Sequence, residues 1–189
     1  MIPSGHKQTL IDLARKSIQL SFDENNAPLL NFDAYPMELK SILATFVTIK
    51  IENRLRGCIG TLDAYRPLVE DIADNAYKAA FSDPRFEPIV ASEYKKLEIH
   101  ISILSPPQEI TFDSEATLLT KIQPNVDGLI IQDSTHKGTF LPSVWEILPD
   151  PKDFLRHLKQ KAGFNADYWS DRISVFKYRT QSIDSGKIH

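Results

Sequence analysis

Cysteine is almost missing from this chain: Cys58 is the only one. No intrachain disulfide can form, and a reducing compartment fits that usage. No apolar run approaches the roughly 18 residues of a membrane span. The stretch Met1 to Lys7 lacks the apolar region of a secretory signal. Cations are scarce too. The net charge is −3 and Lys and Arg are nowhere clustered, whereas nucleic-acid binders draw much of their affinity from neutralising phosphates. The expectation is a cytoplasmic protein with no membrane segment and no dedicated nucleic-acid surface. Also absent are a phosphate-binding Gly-Lys-Ser/Thr loop, a dinucleotide glycine fingerprint and a Gly-x-Ser-x-Gly elbow. His100, His136 and His157 fall into no ligand-like spacing with Cys58, so no metal site is expected and no cofactor is assigned.

What is present is ordinary globular composition, 42% hydrophobic and 25% charged over 189 residues. Leu10, Leu13, Ala14 and Ile18 recur at helical spacing between Ser4 and Phe22, and Asn25 to Pro28 break that pattern. Val47, Ile49 and Ile51 alternate with Phe46, Thr48 and Lys50, and a turn at Glu52-Asn53 leads into Arg54 to Gly60, which predicts a hairpin. Pro67 suits the first position of a helix ending before Asp83-Pro84. Ile99, Ile101 and Ile103 mark a strand from Leu97 to Leu104, and Ser114 can cap a short helix. Leu129 to Gln132 and Thr139 to Leu141 read as a second hairpin around the polar loop Asp133 to Gly138. Asp150-Pro151 opens a helix closed at Gly163, and Ile173 to Arg179 reads as a last strand. Hairpins interleaved with helices predict an α+β fold with a mainly antiparallel sheet, and two lobes sharing one core in one compact unit would fit the length. A single domain over residues 1–182 is expected, with 183–189 as a loose tail.

The functional candidate is Leu55-Arg56-Gly57-Cys58-Ile59-Gly60. Simple alternation places Leu55 and Ile59 on one face and Arg54, Arg56 and Cys58 on the other. Gly57 and Gly60 allow a bulge or close approach by a ligand or another backbone. An ordinary thiol, with a pKa near 8.5, is only about 3% thiolate at pH 7, and neighbouring guanidinium charge is a means of raising that share. The same arginines suit a small anionic ligand. The competing explanation is a buried cysteine acting as a small hydrophobe beside bulge glycines.

This hexapeptide resembles the signature of the AMME chromosomal region gene 1 protein family, whose bacterial and archaeal members are called AmmeMemoRadiSam system protein A. Phe46-Val47-Thr48 precedes it as in that family, Asp83-Pro84-Arg85-Phe86 follows, and Gly138 to Val144 and Lys161-Ala162-Gly163 with Trp169 extend the likeness. Two departures are Ser143, where the family often has Gln, and Lys159, where it often has Cys. No second cysteine is therefore at hand for a redox pair or metal site. The resemblance implies two unequal subdomains with the signature near the groove between them, and association with Memo-like and radical SAM proteins as partners. It implies no named reaction, and the radical SAM cysteine triplet is missing.

Three functions follow as expectations. In the first, Cys58 is nucleophile or acid, Arg56 binds an anionic group, and Asp83 or His100 assists proton transfer, with Arg54, Gly57, Gly60 and Arg85 shaping the ligand site. In the second, the signature only holds a hairpin in shape on an interaction or scaffold protein. The third, weaker, is RNA or nucleotide binding through Arg54, Arg56, Arg66 and Arg85. An ion pair at a helix stop would equally explain Asp83 and Arg85, and a partly exposed structural histidine would explain His100.

Overall fold

The computed structural model describes residues 2–24, 31–134 and 136–186; the expected helix break at Asn25 to Pro28 lies outside them. Among the described residues, four α-helices and two four-stranded sheets make a mixed α+β fold. The chain divides into two compact units, residues 1–104 with 181–189, and residues 105–180.

In the larger unit, α1 (Lys7–Glu24) buries Leu10, Ile11, Leu13, Ala14 and Ile18. Strands β1 (Thr45–Ile51) and β2 (Arg54–Gly60) form the expected antiparallel hairpin. Its two-residue turn carries positive φ at Glu52 and Asn53, the backbone twist that suits tight hairpins. Helix α2 (Leu68–Phe81) starts one residue later than expected, with Pro67 as its N-cap residue. Strand β3 (Glu98–Leu104) pairs antiparallel with β1, and the sheet order is β2-β1-β3-β8. Helices α1 and α2 pack together on the face bearing Val47, Ile49, Ile99 and Ile101, all fully buried.

Strand β8 (Thr180–Asp184) corrects the expected loose tail at Ile183 and Asp184, while residues 187–189 of that tail lie outside the described residues. Ile183 is buried in the larger unit's core, and Ser185 exchanges hydrogen bonds with Ile99. One apolar residue among Thr, Gln, Ser and Asp gives no periodic signal, so the strand is held by its ladder rather than by pattern.

In the smaller unit, β4 (Gln108–Glu109), β5 (Gly128–Asp133), β6 (His136–Phe140) and β7 (Ser174–Tyr178) form a sheet of order β4-β7-β5-β6. Pairing of β5 with β6 runs to Asp133↔His136, tightening the hairpin beyond the expected loop. Helix α3 (Glu115–Lys121) is capped by Ser114. Helix α4 (Pro151–Lys161) is capped by Asp150, which accepts from the Lys152 and Asp153 amides, and Gly163 follows it at φ 92°. Trp145 stacks on Phe154 with ring centroids 3.7 Å apart in a core that also holds Leu118, Leu155 and Val175.

Candidate functional site

The signature occupies nearly all of β2, an edge strand, and a register shift in it decides where each side chain points. Ile49 pairs with Gly57 but Lys50 pairs with Leu55, so Arg56 is the extra residue of a bulge. One inserted residue reverses the alternation beyond it. Leu55, expected beside Ile59 on a buried face, instead pairs with Lys50 on the other face and is 42% exposed. Gly57 and Ile59 face α2, whereas Cys58 and Gly60 pair with Thr48 and Phe46 on the opposite face.

Both glycines are space requirements. A Cβ on Gly57 would lie 1.9 Å from the Ala79 carbonyl oxygen of α2, and one on Gly60 would lie 2.2 Å from the Phe46 ring. The bulged Arg56 turns away from the sulfur. Its Nε and Nη2 donate to the two Glu93 carboxylate oxygens at 2.9 and 3.0 Å, and Nη1 and Nη2 donate to the Glu87 and Pro88 carbonyls. That fork latches segment 87–93 onto the bulge and lowers the Glu93 pKa, first through the Arg56 hydrogen bond. Arg54 is exposed at the hairpin end.

Asp83 and Arg85 do meet the signature: both hold its backbone, and the Arg85 guanidinium also reaches the Cys58 side chain. The Cys58 amide donates to Asp83 Oδ2 at 2.8 Å, and Arg85 Nη2 donates to the Cys58 carbonyl at 3.1 Å. Arg85 also grips Asp83 through Nε and Nη2 at 2.9 and 2.7 Å. The pair thus stands in for a neighbouring strand, satisfying the outward amide and carbonyl of an edge residue and blocking edge pairing. Asp83 is 4% exposed, and Arg85 beside it holds its carboxyl far below the usual carboxylate range.

With both outward backbone groups so engaged, Cys58 and Thr48 form a pair that exchanges no ladder bonds, the closely spaced kind. Accordingly Sγ and Thr48 Oγ1 are 3.2 Å apart, and Cys58 is half-buried. Thr48 pairs in turn with His100 on β3. Cys58, Thr48 and His100 therefore form one row across three strands, with the outer two Cα atoms about 10 Å apart. Sulfur and imidazole do not touch directly; a hydroxyl lies between their strands. His100 Nδ1 reaches Asp184 Oδ2 on β8 at 3.4 Å and Nε2 reaches Ser102 Oγ at 3.3 Å, long contacts that orient the ring weakly.

Thr48, Ser102 and Asp184 were not singled out by sequence reasoning. Thr48 and Ser102 were legible from alternation with the face of His100; Asp184 was hidden in the expected tail. A second polar cluster was also missed. Asp71, 1% exposed on α2, accepts from the Thr45 amide and hydroxyl, Thr61, Asn75 and Arg66 Nε. Asn75 also donates to the Thr45 carbonyl. This network ties α2 to the start of β1 and the end of β2. Its signal was the i, i+4 spacing of Asp71 and Asn75 among the buried residues of α2.

Among the described residues, no group of three or more His, Cys, Asp or Glu is placed to hold a metal ion, and no helix is long and apolar enough to cross a membrane.

Comparison with known proteins places these observations in a lineage. The AMMECR1 family model matches residues 11–183. A protein of Sulfolobus acidocaldarius is 40% identical over 178 residues, covering 89% of this chain and 77% of that one. One from Methanothermobacter thermautotrophicus is 30% identical over 180 residues, covering 92% and 91%. The crystal structure of the uncharacterized protein PH0010 from Pyrococcus horikoshii is similar with a TM-score of 0.86 at 31% identity, over 96% of this chain and 92% of that one.

Proposed function

The chain belongs to the AMMECR1 family, and from that premise we propose that the sheet face carrying Cys58 is a small-ligand or catalytic surface with the thiol as its reacting group. One observation carries this reading. Arg56, Gly57, Ile59 and Gly60 are committed to packing or to latching the edge strand, while Sγ lies half-buried in a row with the Thr48 hydroxyl and the His100 imidazole, with the Arg85 guanidinium beside it. A ligand lying along that row would meet a nucleophile at one end and a proton carrier at the other. His100 then serves the ligand rather than activating the sulfur by contact. Asp83 and Arg85 act as positioning residues that fix the Cys58 backbone. Charge for an anionic ligand would have to come from Arg85, half exposed beyond its bond to Asp83, rather than from Arg56. The protein would work alongside Memo-like and radical SAM proteins, as the family resemblance implies.

A second reading has its own support. Arg56, Asp83 and Arg85 are all engaged in holding the edge strand and segment 87–93, as a scaffold would require. The test is untargeted mass spectrometry of a small-molecule extract incubated with the wild type, Cys58→Ala or His100→Ala, alongside binding assays with purified Memo-like and radical SAM proteins. The catalytic reading expects a compound consumed or retained by the wild type and spared by Cys58→Ala, with partner binding unchanged. Identical small-molecule profiles for all three would remove it and leave the scaffold.

A further inference from the structure

The smaller unit carries a cavity of about 420 Å³ that plays no part in the Cys58 face. It opens where the β4–β7 ladder ends: the Ile110 amide donates to the Val175 carbonyl, and beyond that bond the segments 111–113 and 169–174 line opposite sides. Ile110 and Ile173, each 6% exposed, are its apolar floor. Phe112 and Trp169, with centroids 5.6 Å apart and planes tilted by 54°, are an aromatic wall. Glu109, Asp113 and Asp171, all exposed, supply carboxylates to its lining, and no lysine or arginine lines it.

The volume lies in the range of small-molecule sites, which combine apolar walls with a few placed polar groups. Carboxylates at the opening repel anions. Aromatic faces attract cations through their quadrupole and take up the apolar body of a ligand. Cations lie close by without lining the cavity: exposed Arg172 reaches Asp133 at 3.7 Å, and the charge of Lys121 acts on Asp113. Lys121 donates to the Thr111 carbonyl, and Lys159, buried 5.4 Å from the Trp169 ring centroid, is paired with Glu115. Asp113 is kept ionised by hydrogen bonds from Thr117 and Ser114. We infer that this cavity binds a small amphipathic amine, its ammonium among the carboxylates and its apolar body against Phe112, Trp169 and the isoleucine floor.

Titrating the intact protein with benzylamine while following tryptophan emission tests this. Trp169 reports on the cavity, whereas Trp145 is buried against Phe154 as a silent second fluorophore. A saturable change is expected with a Kd on the order of 1 mM, the scale for a fragment of this size. Benzyl alcohol and benzoate should bind roughly tenfold more weakly or worse, since each lacks the charge that the carboxylates recognise. Asp171→Asn, at an exposed position that leaves folding intact, should weaken benzylamine about two- to fivefold. Trp169→Phe should remove the optical signal, and should it misfold, the comparison of the three ligands on the wild type still decides. No saturable change with benzylamine, or equal binding of benzyl alcohol, would overturn the inference.

Discussion

At the residue scale, Gly57 and Cys58 are neighbours with opposite duties. Gly57 lets the α2 backbone come so close that its missing Cβ would sit 1.9 Å from a carbonyl oxygen. Neither partner is a flexible side chain that could swing away. Gly57→Ala should therefore cost about 3 kcal/mol, the upper part of the range for overpacking, read as a fall in the urea midpoint at unchanged slope. A change below about 0.5 kcal/mol, the ordinary surface value, would mean that helix and strand can separate there freely. Cys58 points the other way. Half-buried beside Thr48, it is not sealed among aliphatic side chains, and its setting comes from the Thr48 hydroxyl, the Arg85 guanidinium and, one strand further, an imidazole.

At the element scale, β2 is an edge strand whose exposed rim is closed by a side-chain pair. The Asp83 carboxyl, gripped by Arg85 and by the Cys58 amide, is held far below the usual range. A carboxyl whose folded pKa is depressed contributes stability that is fully present above its unfolded value, near 4, and is lost as pH falls through its folded one. Asp83→Asn should cost about 1–3 kcal/mol at pH 7, mostly from leaving backbone donors poorly paired. The direct pair with half-exposed Arg85 adds little. The gap to wild type should narrow below about pH 4, because the unfolded wild-type chain takes up the Asp83 proton there while the folded one still holds the carboxylate; paired urea melts at pH 7 and pH 3 measure it, and an equal gap at both would contradict the assignment. Much of this element was legible in advance. Alternation located β1 and β3, and Asp83-Pro84 gave the end of α2. The bulge was not: nothing in Arg54 to Gly60 says which residue is inserted, because the choice is made by α2 pressing on Gly57 and Arg56 reaching Glu93. The reversed placement of Leu55 follows from that tertiary choice, as does the direction of Arg56. The Asp83–Arg85 contact with the signature was foreseen, but as chemistry on a ligand rather than as a backbone cap.

At the scale of the whole molecule, each unit has its own hydrophobic core and its own sheet. The smaller unit closes on itself: the Ser105 amide donates to the Arg179 carbonyl at 2.8 Å, and the Arg179 amide donates back to Ser105 Oγ at 2.9 Å. Its ends are tied together and its core carries the Trp145–Phe154 stack, so residues 105–180 expressed alone should melt cooperatively. A non-cooperative thermal trace for that fragment would show that its core depends on the rest of the chain. Chain length suggested two lobes sharing one core, and the resemblance two unequal subdomains; the two units instead carry separate cores. Their boundary was not foreseen, since β8 returns the chain to the first sheet after the second unit is complete, and its polar sequence conceals the return. The functional account turns on one atom in the larger unit. Because the chain has a single cysteine, iodoacetamide followed by intact-protein mass spectrometry reads that atom alone. Native protein should be alkylated at a rate within about tenfold of the urea-unfolded chain, as partial exposure requires, and His100→Ala should leave that rate unchanged, since the imidazole lies a strand away from the sulfur. Native protection of about a thousandfold, the mark of opening only by rare local unfolding, would contradict a reactive face at Cys58.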